Sequence, residues 1–422
     1  MDLKGKKLLI LGGTNIDIEV INEARKMGVY TIATDNHTDR ALSPAKAVAD
    51  EAYDISWTDY DALEKLCREK HIDGCLAGFS ETRIKILTEI CRRMGFYCYT
   101  DGADLESICN KNNFRDFCIE NGIPVPRHYN RSDEIESFPV IVKPVDNAGS
   151  RGIRLCRSKE EMLAAFEASS RLSTNGDAVI EEFLDGDEPQ YEPAFFYVIK
   201  DGVARLENSL DRVMVNFGDD IIKQAVANVY PSKYLDTFLK EQDGQFRQLF
   251  SKLGMKNGIV FMQGKMKNGS FYPVDIGYRL EGSLSFHYSE HINGVNPVQM
   301  MIRYALTGSM CDEDIFGRST ARYDKTGVTV TLLATKGKIA KIEGIDEISR
   351  EKCVIHVSQR LRVGAECRLL ADFSQVFSRI YLCSDDRQEL IRTIDKIYDT
   401  VKVLNENGNN MLIGRYDADE LK

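Results

Sequence analysis

Apolar runs and helix-spaced apolar residues alternate over the first hundred residues of the chain. Strands are expected at the short apolar runs Lys7–Leu11, Val29–Thr34, Ala52–Ile55, Ile72–Ala77 and Phe96–Tyr99. Between these runs, apolar residues recur every three or four positions, which predicts helices starting near residue 16 and over 60–69 and 81–94. Such an alternation of strands and helices is typical of a doubly wound parallel sheet.

The pattern changes after residue 135, where a strand leads into a glycine-containing loop. The β-branched run Val140–Val142 is followed by Lys143 and then by Pro144, which lacks a backbone donor and ends the strand. Gly149 and Gly152 follow, and their bare backbone can approach an anion closely. Two interpretations of the lysine stand side by side: a contact to a phosphate, or a surface lysine beside an ordinary hairpin.

The rest of the chain is mostly strands joined by tight turns. Asp201–Gly202 and Asn268–Gly269 each separate two strand-like runs and predict two-residue hairpins. Lys336–Gly337 predicts a third hairpin, between strands at 328–334 and 339–345. A single helix is predicted over Lys233–Leu253.

Composition narrows the classes of function. Of the 422 residues, 43% are hydrophobic, which is enough apolar material for sizeable cores. The net charge of −10 argues against a nucleic-acid-binding surface. The 11 cysteines are scattered without a paired spacing, as expected for reduced thiols in a cytoplasmic protein. We also expect neither a signal peptide nor a transmembrane segment, because the chain has no apolar stretch of suitable length.

Three further stretches carry candidate chemistry. Gly12–Gly13 with Asp35 faintly resembles a dinucleotide fingerprint, or simply opens a tight turn between a strand and a helix. Ser80–Arg83 follows a strand, where sheets of this type bind ligands, although a helix N-cap with a first-turn acid is the favoured interpretation. Asp275 and Arg279 alternate at the end of a strand and can point to one side.

Four motifs in order resemble the ATP-grasp superfamily, in its biotin carboxylase, carbamoyl-phosphate synthase large-chain and PurK-like branch. They are Asn110-Lys111-x-x-Phe114-Arg115, the FPVIVKP run at 138–144 with its glycine loop, VIEEFLDGDE at 179–188 and DIGYRLEG at 275–282. Each motif is weak alone, but their order and separation match the family across the whole chain.

The resemblance implies a multidomain protein of mixed α/β and α+β class. A Rossmann-like preATP-grasp domain is expected over residues 1–105 and a two-lobed ATP-grasp domain over 106–310. Its smaller lobe, about 125–180, is inserted, and the nucleotide binds between the lobes. A β-rich C-terminal capping domain is expected over 311–422. The resemblance also implies a homodimer.

The resemblance further implies which residues bind ATP. The two lysines contact its phosphates, the loop at 146–152 covers them, residues 181–184 hold the adenine, and residue 188 holds the ribose hydroxyls. The residues assigned to nucleotide binding are Lys111, Lys143, Ser150, Gly152, Glu181, Phe183, Leu184 and Glu188.

The catalytic and metal-binding residues implied by the resemblance lie near the last motif. Arg279, together with Lys143, is assigned a catalytic role, because a rigid, charged guanidinium suits a transferred phosphate or an acyl-phosphate. Asp275 and Gln263 are assigned to Mg²⁺ or Mn²⁺. Gln263 replaces the acid that is usual in the family and Gly277 replaces the usual asparagine, so the site has fewer ligands than the pattern requires. Glu281 could hold a substrate amine, supply a displaced metal ligand or form a peripheral salt bridge.

These assignments predict an ATP-dependent carboxylate–amine ligase that forms an acyl-phosphate and then an amide to a small amine or amino acid. The alternatives are an ATP-grasp enzyme acting on bicarbonate through carboxyphosphate, and a catalytically degenerate nucleotide-binding protein. The expected partners are small-molecule substrates, with neither nucleic acid nor membrane. His287 and His291 lie near the site in sequence and are each either a general base or structural.

Overall fold

The N-terminal part of the chain is a parallel sheet flanked by helices. The computed structural model describes residues 3–131, 135, 137–145, 152–173, 176–216, 224–367 and 375–422. The elements of this part are β1 (Lys7–Leu11), α1 (Asp17–Lys26), β2 (Tyr30–Thr34), β3 (Glu51–Tyr53), α2 (Tyr60–Lys70), β4 (Gly74–Leu76) and α3 (Ile84–Met94). The strands lie in the order β3-β2-β1-β4, all parallel, which confirms the alternation predicted from the sequence. The predicted strand at Phe96–Tyr99 is wrong, because these residues form an irregular segment and a turn.

A small antiparallel sheet follows two short helices. These elements are α4 (Leu105–Cys109), α5 (Lys111–Glu120), β5 (His128–Tyr129), β6 (Val140–Pro144), β7 (Arg154–Cys156), α6 (Lys159–Ser170) and β8 (Ala178–Glu182). The strand order is β5-β8-β6-β7. Val140, Val142 and Ile180 pack with Met162 of α6 in a separate small core, so this sheet and its helix form one packed layer pair.

The next segment supplies five long strands and two helices. They are β9 (Tyr191–Lys200), β10 (Val203–Val215), β11 (Gln224–Tyr230), α7 (Leu235–Glu241), α8 (Asp243–Lys252), β12 (Gly258–Lys267) and β13 (Ser270–Gly277). Both hairpins predicted here are confirmed, and Asp201, Gly202, Asn268 and Gly269 all have positive φ, as a type I′ turn requires.

The single helix predicted over Lys233–Leu253 is wrong, because it breaks at Gln242. Gln242 leaves the helical conformation with φ −135°. Its side-chain amide donates to the carbonyl oxygen of Phe271 at 2.9 Å and accepts from the Phe271 N–H. A buried glutamine therefore pairs with the edge strand β13 and interrupts the helix.

Among the described residues, the remaining elements are three consecutive α-helices followed by seven strands and two further α-helices. They are α9 (Phe286–Asn293), α10 (Pro297–Thr307), α11 (Glu313–Gly317), β14 (Thr326–Ala334), β15 (Gly337–Glu343), α12 (Ile345–Ile348), β16 (Val354–Gln359), β17 (Glu366–Cys367), β18 (Val376–Ser384), α13 (Arg387–Thr400), β19 (Lys402–Asn405) and β20 (Leu412–Ile413). No helix in the described ranges is both long enough and apolar enough to cross a bilayer.

One nine-stranded sheet joins the two halves of the large C-terminal region. Its order is β13-β12-β9-β10-β11-β14-β18-β16, with β20 pairing with β14. The sheet therefore continues through β11 and β14 across the domain boundary expected near residue 310. The hairpin predicted at Lys336–Gly337 is wrong: β14 already pairs with β11 and β18, so β15 leaves the sheet and pairs with β17 and β19 instead.

Candidate active site

A polar cleft lies between the small sheet and the β13 edge of the large sheet. It encloses about 470 Å³ including its open mouth. Its walls come from the turn after β4, helices α4 and α5, the connector to β5, and strands β6, β8 and β13. The lining residues are Glu81, Ile108, Cys109, Lys111, Phe114, Arg115, Val125, Pro126, Lys143, Glu181, Pro273, Val274, Asp275 and Ile276. Four residues predicted to bind nucleotide or metal, at 111, 143, 181 and 275, thus meet in one place.

Lys143 is held in this cleft by a buried carboxylate. Its Nζ lies 2.6 Å from Oε2 of Glu181, and the other Glu181 oxygen lies 2.8 Å from Nε2 of His128. The Lys143 and Glu181 side chains are only 7% and 11% exposed. Burial raises the pKa of Glu181, but Lys143 and His128 outweigh it and hold that pKa at about 2. The resemblance assigns Glu181 to the segment that holds the adenine, and the structure shows that its side chain also pairs with Lys143.

Lys111 reaches the cleft because Asn110 fixes the start of α5. The Asn110 side-chain oxygen accepts from the N–H groups of Asn112 and Asn113 at 2.9 and 3.3 Å. The Lys111 N–H donates to the carbonyl oxygen of Val145, 3.3 Å away, just past β6. Asn110 therefore caps α5, and the next residue, Lys111, brings a positive charge into the cleft. The backbone hydrogen bond of Lys111 also joins α5 to the segment that carries Lys143.

Arg279 meets an acid that the sequence analysis did not assign to the site. Its Nη2 lies 3.6 Å from Oε2 of Glu81, in the turn after β4. Burial and the negative charge of Asp275 raise the pKa of Glu81, while Arg279 and Lys111 oppose that rise. Ser80 lies at the N-cap position of a short 3₁₀ helix whose first-turn acid is Glu81, as the favoured interpretation predicted, but its side chain makes no capping hydrogen bond. The other interpretation was that ligands bind past the end of this strand. That position was the sequence feature that could have identified Glu81 as a site residue.

The predicted metal ligands Asp275 and Gln263 are opposite each other on β13 and β12. Asp275 lines the cleft. The side-chain oxygen of Gln263, however, accepts a hydrogen bond from Nη1 of Arg212 at 3.2 Å, and Arg212 also pairs with Glu192 at 3.0 Å. A cation at Gln263 would lie beside a guanidinium, so in this arrangement Asp275 is the better placed of the two ligands.

Phe261 explains why position 277 carries no side chain. Gly277 pairs with Phe261 across the β12–β13 ladder, and a Cβ at 277 would lie 2.3 Å from the Phe261 ring. The guanidinium of Arg279 stacks over the same ring, 4.8 Å from its centroid. An aromatic ring that supports the arginine therefore occupies the space where the family pattern has a metal-binding side chain.

Glu188, which the resemblance assigns to the ribose, lies outside the cleft lining and contacts two neighbouring side chains. Its carboxylate pairs with Nζ of Lys233 at 2.6 Å and accepts from the Tyr234 hydroxyl at 2.5 Å. Burial raises its pKa, but these two partners lower the pKa below its ordinary value. The ribose contact stays a prediction.

Phe183 and Leu184, assigned to the adenine linker, follow β8. The Phe183 N–H donates to the carbonyl oxygen of Pro139 at 3.4 Å, and Leu184 is buried with 6% exposure. Of the covering loop, Gly152 has φ +84°, a conformation that favours glycine, whereas Ser150 lies outside the described residues.

Glu281 is engaged with its own loop. One carboxylate oxygen accepts from the Ser283 N–H, and the other accepts from the Ser283 hydroxyl at 2.5 Å. These hydrogen bonds fix the turn after Arg279, while the proposed roles of Glu281 as a metal ligand or as a contact to a substrate amine stay predictions.

The sequence and the fold both match known proteins. Residues 128–310 match the family described as carbamoyl-phosphate synthase L chain, ATP binding domain. A curated relative, the formate-dependent phosphoribosylglycinamide formyltransferase of Wolinella succinogenes, is 28% identical over 191 residues. The match covers 43% of this chain and 48% of that relative, so the chain spans about half the length of the curated relative.

Solved structures match over nearly the full chain. The L-amino acid ligase of Bacillus licheniformis superposes with a TM-score of 0.77 and 18% identity, covering 96% of this chain and 100% of that one. The biotin carboxylase domain of the Hydrogenobacter thermophilus 2-oxoglutarate carboxylase, solved with MgADP and bicarbonate, has a TM-score of 0.72 and 18% identity, covering 94% and 91%. The structural matches confirm the predicted fold class, and the family match over residues 128–310 confirms the predicted ATP-grasp resemblance.

Proposed function

Because residues 128–310 match an ATP-binding domain of the ATP-grasp class, we propose that the chain is an ATP-dependent carboxylate–amine ligase. The observation that carries the proposal is the convergence of two lysines, a carboxylate on β13 and a stacked arginine around one cleft. Such a site suits phosphoryl transfer, which needs charge neutralisation and positioning and no protein nucleophile.

In the proposed first step, an oxygen of the substrate carboxylate attacks the γ-phosphorus of ATP, and the bond to the ADP oxygen breaks. Lys143 and Lys111 hold the phosphates. The Lys143 ammonium has three donors, and Glu181 engages one of them among the described residues, so the others can donate to phosphate oxygens in the proposed complex. Arg279 neutralises the charge on the transferred group, which then sits on the substrate as an acyl-phosphate.

In the proposed second step, a substrate amine attacks the acyl carbon, and inorganic phosphate leaves with the carbon–oxygen bonding electrons. The products are an amide, ADP and phosphate. The relative's name joins formate, a carboxylate, to the amine of a glycinamide, and this supports a carboxylate and an amine as the two substrates.

The donor set fits one Mg²⁺ held jointly by the protein and the nucleotide. Asp275 supplies a carboxylate in the cleft, and Glu81 lies close enough to feel its charge. Bound there, the ion would neutralise phosphate charge. Gln263 faces Arg212 and position 277 has no side chain, so we propose no second ion. Mn²⁺ in place of Mg²⁺ is part of the same proposal.

The test is ADP formation by the purified chain with a panel of amino acids and small carboxylates, each with and without an amine. A ligase releases ADP and phosphate only when both substrates are present. Hydroxylamine added in place of the amine should trap the acyl-phosphate as a hydroxamate. ADP release with bicarbonate as the only carboxyl compound would instead indicate carboxyphosphate chemistry. Nucleotide binding without ADP release under any combination would indicate a binding protein.

A further inference from the structure

Two histidines and a glutamate from three distant parts of the chain converge outside the cleft. Glu19 lies on α1, His287 on α9 and His356 on β16. Nε2 of His287 is 3.9 Å from one Glu19 carboxylate oxygen, and Nε2 of His356 is 3.7 Å from the other. One ligand atom from each residue lies within 4.8 Å of the other two. Nothing in the proposed ligase chemistry uses this cluster.

The cluster is not satisfied by hydrogen bonds. Both Nε2 atoms are buried and have no hydrogen-bond partner in the part of the chain that the structure describes. Distances of 3.7 and 3.9 Å to Glu19 are too long for hydrogen bonds. Buried polar atoms without partners are costly, so two of them aimed at the same carboxylate point to a missing ligand.

Aromatic contacts surround the two histidines. The imidazoles of His287 and His356 stack with centroids 3.9 Å apart and an interplanar angle of 22°. The Tyr381 ring contacts both, with centroids 5.4 and 5.3 Å away. The His287 and Glu19 side chains are 11% and 12% exposed, and His356 is 27% exposed, which leaves a route from solvent.

A positive charge also lies near the cluster. Lys26 is close enough to His287 for its positive charge to act on that imidazole. Neutral imidazole is the form that binds metals. Lys26, the nearby cation, is itself paired with Glu23 at 2.7 Å.

We propose that Glu19, His287 and His356 bind one divalent transition-metal ion of the Zn²⁺ class. Two imidazoles and a carboxylate are a ligand set that Zn²⁺ accepts, whereas Mg²⁺ prefers oxygen ligands alone. Bonds of about 2.0–2.2 Å place tetrahedral ligands roughly 3.4 Å apart, and a bound ion lies close to the plane of each imidazole. Because the two rings are stacked, His356, the most exposed member, has to turn out of the stack before both Nε2 atoms can reach one ion. The ion would tie the N-terminal sheet, through α1, to α9 and to β16 of the large sheet.

The test is metal binding by the chain after chelator treatment and dialysis. ZnCl₂ titration should give one bound ion per chain by elemental analysis, and CoCl₂ should give visible absorption bands of a nitrogen- and oxygen-ligated site. His356→Ala and Glu19→Gln should each weaken the apparent Kd for Zn²⁺ at least tenfold. Zn²⁺ should raise the Tm of the wild type and leave that of both variants unchanged. His291→Ala, an exposed histidine on the same helix, is the matched control and should bind as the wild type does.

Three outcomes would overturn the proposal. They are no stoichiometric Zn²⁺ or Co²⁺ binding by the wild type, wild-type affinity in both His356→Ala and Glu19→Gln, and equal loss in His291→Ala. Circular dichroism checks that each variant is folded. If His356→Ala is misfolded, His356→Gln, which is closer in size, is titrated in its place. ADP formation is not the readout, so the result is independent of the ligase proposal.

Discussion

At the scale of single residues, the ion pair between Lys143 and Glu181 fixes the position of the lysine. The lysine is nearly buried and already partly neutralised, so in the proposed function it would be in place before the nucleotide arrives. Holding the ammonium in place lowers the entropy cost of ordering a flexible side chain during binding.

Lys143→Ala should lower ATP turnover by about 100-fold or more, because one preorganised charge at a phosphoryl group contributes on that order. The measurement is ADP release at saturating substrates. Lys159→Ala is the control, since Lys159 is an exposed lysine at the start of α6 on the same small sheet layer. Wild-type turnover in Lys143→Ala would remove this lysine from the proposed site.

Glu207 is a second residue whose environment sets its chemistry. It lies on β10 at a register shift, is 3% exposed, and its Oε1 has no hydrogen-bond partner in the described chain. Burial raises its pKa to about 8, and the Ser289 hydroxyl only partly opposes this rise. The folded chain therefore keeps a proton between pH 4.5 and 8 that the unfolded chain releases, so stability falls as the pH rises through this window.

Glu207→Gln should remove this pH dependence, because glutamine keeps the shape without a titrating proton. The Tm of the variant relative to the wild type should rise steadily from pH 5 to pH 8. The difference corresponds to about 1.4 kcal/mol per pH unit at most. Glu120→Gln, at an exposed position on α5, is the control. Parallel Tm curves for Glu207→Gln and the wild type would show that Glu207 does not hold the proton.

At the scale of secondary-structure elements, the β12–β13 hairpin positions the cleft arginine through Phe261. The turn at Asn268–Gly269 starts the pairing, and a one-residue register shift between Gln263 and Gly264 then places Phe261 opposite Gly277 and beneath Arg279. The hairpin is therefore both the edge of the large sheet and the support of the site.

Gly277→Ala should lower the Tm by several degrees, because the added Cβ meets the Phe261 ring at 2.3 Å and overpacking costs about 1–3 kcal/mol. Turnover should also fall, since the displaced ring carries Arg279. Adding Phe261→Leu should recover part of the Tm. The control is Gly244→Ala on α8, where no atom lies within 4 Å of the new Cβ. A Gly277→Ala protein with unchanged Tm and turnover would contradict this packing account.

Local patterns predicted the elements whose partners are close in sequence. The turns at Asp201–Gly202 and Asn268–Gly269 carry their own geometry, and the motif around Lys143 contains its own strand and stop. Glu81 was not assigned because its partner Arg279 is nearly 200 positions away. The hairpin at Lys336–Gly337 failed for the same kind of reason, since both edges of β14 are occupied by strands from elsewhere in the chain.

At the scale of the whole molecule, the nine-stranded sheet makes the region before residue 310 depend on the region after it. Residues Ala227–Tyr230 of β11 pair with β14 over four positions. The predicted capping domain is thus joined to the ATP-binding region by backbone hydrogen bonds. The homodimer implied by the resemblance stays a prediction.

A chain ending at residue 310 should aggregate, because it would leave β11 as an unpaired edge and expose the apolar face that packs against β14. The measurement is size-exclusion chromatography with light scattering of residues 1–310 beside the full chain. A monodisperse, folded 1–310 fragment would show that the sheet tolerates the loss of its second half.

The pairing of Phe261 with Gly277 also limits which single substitutions these two positions can accept. A lineage that carries this ring cannot acquire a coordinating side chain at 277 in one mutation, since the new atoms and the ring compete for the same space. Shrinking the ring first removes the surface on which Arg279 stacks. Each single substitution is therefore penalised, so the two positions have to change together before residue 277 can carry a coordinating side chain.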